Sequence, residues 1–488
     1  MMNLFSLLLG IPALTCCALA FLGKSRGAAR LNIAASAATF VVSLGLAWKV
    51  LMQGSQFFNG QAFFLDPYNI FLVTLTAFVA TNTAIFSAAY MSHEEQIGRV
   101  TSHNLRLYHA MFQLFVFGML LALTTNNLGV LWIALELATL ATVLLVALYR
   151  TPAAISAAWK YFILCGMGIA LALFGTILIF STSSEVLGHS NEALTWTLLY
   201  PKADKLNPGV MTIAFVFLMV GYGTKVGLFP MHAWLPDAHG EGPTPISAVL
   251  SGLLLNVALY ALVRCKALVD GATHNHFAGH LMMGFGMLTL GMAALSLHRQ
   301  KDIKRLYSFS SIEHMGLMTF SFGIGTPLAN YAALLHMTVH SLVKSGIFFT
   351  VGHAAQAMKT QSIAHIRGLI NLQPKIGLGL LLGTIAIAGF PPFGVFTSEF
   401  LLVTAALESY PWTIGVLLPS LVVAFAGLFR HLQPMVFGAY PKDVHVVPVN
   451  MLPVYIHLGL ALFLGLAIPG FLANWFQIAA NFLHQGTL

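Results

Sequence analysis

Apolar residues run along this chain in long blocks, separated by short polar connections. A block of about 20 apolar residues is what a helix needs to cross a bilayer, and about fourteen such stretches can be counted. The first seven lie near 3–22, 31–51, 66–90, 109–125, 127–149, 153–182 and 209–229. The other seven lie near 243–263, 277–297, 308–325, 328–356, 377–405, 411–429 and 451–475. The pattern predicts an all-α, polytopic membrane protein of about fourteen transmembrane helices. The longest connection, 183–208, has room only for a small cap on one surface.

Composition agrees. Of 488 residues, 58% are hydrophobic and 8% charged, which excludes an ordinary soluble globular domain. The net charge of +8 comes from scattered basic residues, with no continuous stripe for nucleic acid. Cys16, Cys17, Cys165 and Cys265 form no CxxC pair and no metal-ligand spacing, so no cofactor and no metal is expected in this subunit. The N-terminal block has no basic residue ahead of it and reads as a retained first helix.

Basic residues also set orientation. Connections after odd-numbered stretches hold Lys24, Arg26, Arg30, Arg99, Arg106, Arg150, Arg299, Lys301, Lys304, Arg305, Lys359, Arg367, Lys375, Arg430 and Lys442. Those after even-numbered stretches hold Lys202, Lys205, Arg264 and Lys266. Odd connections are therefore expected on the cytoplasmic side of a bacterial or archaeal cytoplasmic membrane, with both termini outward.

Four lysines fall within the stretches. Lys49 ends its stretch and can snorkel to the surface. The remaining three, Lys160, Lys225 and Lys344, join Glu136 and Glu399 as charges inside apolar blocks, where a charged side chain costs roughly 2.5–3.5 kcal/mol on the insertion scale. Lys160 has the alternative of snorkelling, and Glu399 that of capping a helix break. The breaks are legible: "GYGTKVGLFP" around Lys225 and "GFPPFGVFTSEF" before Glu399 interrupt stretches 7 and 12 with Gly and Pro. Interrupted stretches five apart predict an inverted repeat, stretches 4–8 and 9–13, with the site at the breaks. The corresponding divisions are 1–108, 109–264, 277–438 and 439–488.

In "HMTVHSLVKSG", His336, His340 and Lys344 recur every four residues, on nearly one helix face. Imidazole donates at one nitrogen and accepts at the other, so such a row with water can pass a proton. Metal binding is the weaker alternative, since the third position is Lys and no acid is near in sequence. Polar packing between helices is another. Desolvation lets a nearby carboxylate switch a lysine between charged and neutral forms, so Lys225 facing Glu136 makes a plausible switch.

These motifs, with "KVGLFPMHAWLPDAH" and "DIKRLYSFSSIEHMGL", resemble the antiporter-like membrane subunits of respiratory complex I and Mrp cation/proton antiporters, over residues 60–440. More narrowly, "NLRLYHAMFQLFVFGMLLALTTNNL", "AAWKYFILC" and "SGLLLNVALYALVR" look like component F of the hydrogenase-4 and formate hydrogenlyase type. The resemblance implies two inverted five-helix bundles with discontinuous helices 7 and 12, linked proton half-channels, and work inside a redox complex. It implies neighbouring membrane subunits and a peripheral hydrogenase or related redox module as partners, and no electron transfer by this chain alone. It makes Glu136 the charge-modulating carboxylate, Lys225 the switching lysine, Lys160 an auxiliary lysine and Glu399 the terminal proton residue. His336, His340 and Lys344 become the connecting relay. Complex I members usually carry a bridging lysine where this chain has Asn256; the hydrogenase-4 group also reads Asn there. Asn holds water but no charge, so a scaffold with a lapsed channel stands as an alternative beside a cation/proton antiporter subunit. A solute transporter fits less well, for want of a ligand-sized polar cluster.

Overall fold

Several helix starts are written directly in the sequence. Asp66, Thr151, Asn207 and Thr326 each precede a proline, and each accepts a hydrogen bond from a backbone N–H of the first turn. Proline lacks only an N–H that would be unpaired at that position, and the Asp, Asn or Thr side chain satisfies another. The computed structural model describes residues 4–22, 27–439 and 449–485; Lys24, Arg26 and Lys442 lie outside them.

Six long helices come first: α1 (Leu4–Leu22), α2 (Ala28–Gln53), α3 (Pro67–Gln96), α4 (Ser102–Thr124), α5 (Leu128–Val146) and α6 (Pro152–Leu187). A surface segment holding the short α7 (Trp196–Leu199) leads to α8 (Pro208–Val226), a break, and α9 (Trp234–Glu241). Then α10 (Thr244–Val249) runs through a π-turn at Leu250–Leu254 into α11 (Leu255–Thr273). After α12 (Phe277–Leu297), α13 (Ile303–Ile324) and α14 (Pro327–Met358) come the short α15 (Leu369–Leu372), α16 (Pro374–Ile387), a second break and α17 (Gly394–Ser409). The chain closes with α18 (Ile414–Phe437), α19 (Leu452–Leu466) and α20 (Gly470–Gln485). One departure from all-α is a two-stranded antiparallel hairpin, β1 (Gln56–Phe58) and β2 (Phe63–Leu65), between α2 and α3.

Every apolar stretch has a helical counterpart, but the count of fourteen spans is not established. Among the described residues, eleven helices are long and apolar enough to cross a membrane, or up to twelve if α19 and α20, bent by 80°, form one span. The serine-rich α13 and the split α16–α17 are not among them. Helices also outrun the apolar blocks. Arg106, Lys304, Arg305 and Arg430 stand inside helices rather than in connections, as do Arg264 and Lys266 in α11. For Arg264 the reason is a buried partner: its guanidinium bonds Asp66 at the head of α3 and stacks 4.5 Å from the Trp196 ring. The helix therefore continues past the point where hydropathy says it should surface.

The packing repeats. α4 lies on α5, α5 on α6 and α6 on α8, as α12 lies on α13, α13 on α14 and α14 on α17. Close approach relies on glycine. A Cβ at Gly221 would meet the Gly168 carbonyl at 2.6 Å, and one at Gly286 the Gly316 carbonyl at 2.7 Å, the small-residue contact typical of membrane helices. The most apolar windows of α10–α11 and of α14 are fully buried, so these helices form the axis on which both bundles close.

Candidate functional site

At the first break, α8 ends where Gly227 takes a left-handed conformation, φ 84°. Lys225 stands two residues before it with no exposure. Its ammonium donates to Glu136 Oε2 at 3.0 Å and to the Thr139 hydroxyl, one helical turn further along α5. Glu136 keeps 20% of its side chain exposed, beside the exposed Ile133 and Leu140. A wall of aromatic groups closes the other side: Trp234 stacks on Tyr161 at 4.4 Å and donates its indole N–H to the Thr224 carbonyl.

Along the central axis, Asn256 donates to Ser341 Oγ at 2.8 Å and to the Gly252 carbonyl at 3.2 Å. Gly252 lies in the π-turn, which turns its carbonyl toward α14, where Ser341 also bonds it at 2.7 Å. The Asn256 side-chain oxygen is buried with no protein partner. One turn beyond Ser341, Lys344 is wholly buried and donates to the Tyr307 carbonyl at 3.1 Å. Its carboxylate counterpart is Glu313 on α13, with which it interacts electrostatically.

The second break supplies the far end. Residues after α16 run through Gly389, φ 68°, to Pro391 and Pro392 before α17 begins. A Cβ at Gly389 would sit 2.1 Å from Glu399 Oε2, so the missing side chain is what admits the carboxylate to the break. Glu399 Oε1 lies 3.9 Å from His314 Nδ1. That atom is 3.0 Å from His336 Nε2, and His336 Nδ1 is 2.9 Å from Ser398 Oγ. His340 completes the group, with ring centroids 5.5 Å from His314 and 6.4 Å from His336. Both its nitrogens are buried without a protein partner, which in a polar site calls for water.

Of the eight residues singled out in the sequence, the structure joins Glu136 to Lys225, seats Asn256 against α14, and gathers His336, His340 and Glu399 into one cluster, with Lys344 on the same helix. Lys160 stands elsewhere. It pairs with Asp237, which also bonds Arg305, and its side chain is 48% exposed. Sequence reading passed over Glu313, His314, Thr139, Ser398 and His239. Glu313 and His314 fall inside stretch 10, so a charge census of that block would have found the acid. His239 is fully buried, with both nitrogens unpartnered. Its ring stacks 5.0 Å from Phe348, one turn past Lys344, within the electrostatic reach of Lys344 and Lys304. Lys304, itself buried, donates to the Gly242 carbonyl at 2.8 Å and fastens the end of α9.

A profile for the membrane part of NADH:quinone oxidoreductases and Mrp antiporters matches residues 125–425. The chain is 47% identical over 447 residues to the hydrogenase-4 component F homolog of Methylacidiphilum infernorum, covering 92% of this chain and 93% of that one. Among solved structures it superposes on a chain of the membrane-bound sulfane sulfur reductase, an archaeal respiratory membrane complex, with a TM-score of 0.88 at 24% identity, covering 98% and 97% of the two chains. It also superposes on a chain of the Mrp complex from Dietzia sp. DQ12-45-1b, with a TM-score of 0.86 at 16% identity, covering 100% and 98%.

Proposed function

This chain belongs to the membrane-subunit family shared by NADH:quinone oxidoreductases and Mrp antiporters, and from that premise we propose that it translocates protons for a redox-driven complex of the hydrogenase-4 type. The single observation that carries the reading is a series of polar groups between two broken helices, buried along its middle and half-buried at its two acids. It runs from Glu136 and Lys225 past Asn256 and Ser341 to Lys344 and Glu313, then through His340, His314 and His336 to Glu399.

Lys225 and Glu136 hold each other's charge. Moving the carboxylate away leaves a desolvated ammonium that surrenders its proton readily, and bringing it back reloads the lysine. Asn256 and the π-turn carbonyl hold water on the path, and the imidazoles take protons at one nitrogen and give them at the other. Glu399 is the terminal exchange group. The driving module is a peripheral hydrogenase or related redox unit, and neighbouring membrane subunits transmit its work; the chain carries no redox centre of its own. It resides in a prokaryotic cytoplasmic membrane with 109–264 and 277–438 as inverted repeats and both termini outward. A reporter fused to either terminus that reads cytoplasmic would overturn that orientation.

The deciding experiment is Lys225→Ala in the purified native complex, reconstituted in proteoliposomes. Alanine costs a helix nothing intrinsically, so the complex assembles and turns over. Proton uptake per turnover falls away. Unchanged uptake refutes the assignment.

A further inference from the structure

The sequence offered His336 and His340 no acidic companion for a metal, but the fold brings one from α17 and a further imidazole from α13. One ligating atom from each of His314, His336 and Glu399 falls within 4.8 Å of the others. The closest pairs are the 3.0 Å and 3.9 Å contacts of His314 Nδ1 with His336 Nε2 and Glu399 Oε1. With metal–nitrogen bonds of about 2.0–2.1 Å, neighbouring ligands of a tetrahedral ion stand roughly 3.4 Å apart. Reaching that spacing takes a widening of the His314–His336 contact by a few tenths of an ångström, with both rings turned toward a common point, and a swing of the Glu399 carboxylate inward.

The hydrogen bonds also set the donors. Ser398 Oγ donates to the Val395 carbonyl at 2.8 Å, so it faces His336 Nδ1 as an acceptor. The proton therefore sits on Nδ1, and Nε2 presents a lone pair; this is how an outer group fixes the tautomer of a metal-binding histidine. Independently, His314 Nε2 and both nitrogens of His340 are buried with no side-chain hydrogen bond, which leaves a third imidazole beside the cluster. Two or three imidazoles and one carboxylate suit a borderline transition ion and not Mg2+ or Ca2+, which require oxygen ligands.

We propose that His314, His336 and Glu399 form a site for a divalent transition metal ion of the Zn2+ class, with the fourth position open to water beside the unpartnered His340, and that the ion blocks the proton relay by occupying the place of the shared proton. On binding, the His314 proton moves from Nδ1 to Nε2, so the ring stays neutral and the ionised Glu399 balances part of the metal charge. The positive field of Lys344 reaches all three imidazoles and is offset in part by Glu313. Only the blockade rests on the relay reading above; the binding does not.

The test is a Co2+ titration of the purified native complex, stripped of adventitious metal, followed by the visible bands that tetrahedral Co2+ shows and aqueous Co2+ lacks. One such ion per subunit is expected, displaced by Zn2+. His314→Gln and the near-isosteric Glu399→Gln should remove the bands in complexes that still co-purify with all subunits. Ser398→Ala should weaken binding about 10–100-fold, the usual effect of losing an outer partner. Absence of tetrahedral bands in the native complex, or their persistence in both ligand variants, overturns the site. In proteoliposomes, Zn2+ should stop proton uptake over the same concentration range in which it displaces Co2+. Binding without that loss leaves the site standing and removes the cluster from the proton path.

Discussion

The two bundles share a packing plan and differ in how they hold charge. In the first, a cation stands before the break and its acid lies on a neighbouring helix: Lys225 on α8 against Glu136 on α5, in direct contact at 3.0 Å. In the second, the acid Glu399 follows the break, and its neighbours are neutral-capable imidazoles and a serine. The α5 acid has its counterpart in Glu313 on α13, which is 3% exposed and leaves Oε2 without a partner. Each half has an acid with an edge on the chain's surface, Glu136 at 20% and Glu399 at 13% exposure, but the first closes that acid into an ion pair and the second joins it to a chain of groups that can each lose or gain a proton. A pair stores charge in one place, whereas a chain of imidazoles lets it travel.

That contrast yields an asymmetry to break. Removing Glu136 leaves a wholly buried ammonium with only the Thr139 hydroxyl, while removing Lys225 leaves a carboxylate that has one edge on the chain's surface and can be protonated. Losing one partner of a buried pair costs about 3–5 kcal/mol, so Glu136→Ala should lower the thermal stability of the complex clearly more than Lys225→Ala. Equal melting shifts for the two would show that Lys225 is not held as the buried charge of the pair.

A smaller effect sharpens the join between the halves. Asn256→Leu removes bonds to Ser341 and to the Gly252 carbonyl but leaves Ser341 its own bond to that carbonyl, so the loss of stability should be about 1–2 kcal/mol, the typical net worth of one or two hydrogen bonds. Proton uptake should nevertheless stop, because the polar anchor for water is gone. Asn256→Lys should assemble and retain partial uptake. A leucine variant that pumps normally, together with a lysine variant that fails to assemble, would favour the scaffold reading.

Much of the architecture was legible because a bilayer forces it. Only helices satisfy every backbone group within a span, so fourteen apolar stretches had to become helical segments, and Asp-Pro, Asn-Pro and Thr-Pro steps marked where several begin. Helix ends were not legible where a charge found a partner far off in sequence: Arg264 and Asp66 lie 198 residues apart, and hydropathy counts such an arginine as a loop residue. The first break with Lys225 was readable for the same reason that it is rare, a lone charge beside Gly and Pro. Glu313 lies inside stretch 10, but no glycine–proline break or periodic row drew attention to it there. His314 and His239 were hidden by chemistry, since a neutral imidazole in an apolar run looks like ordinary packing until both its nitrogens are found without partners. Lys160 was lone in its block but not in space, since it pairs with Asp237 on α9.

The burial of α14 has an electrical consequence. A membrane potential falls across the part of a path that is closed off from bulk water, and the most apolar window of α14 is enclosed by protein on all sides. From His336 to Lys344 the helix rises about 12 Å at 1.5 Å per residue, roughly two-fifths of a 30 Å hydrocarbon core. A unit charge crossing the whole field gains or loses about 2.3 kcal/mol per 100 mV, so a proton stepping along this row exchanges roughly 0.9 kcal/mol per 100 mV with the transmembrane voltage. The row is thus the segment at which a charged membrane pushes back on the chain.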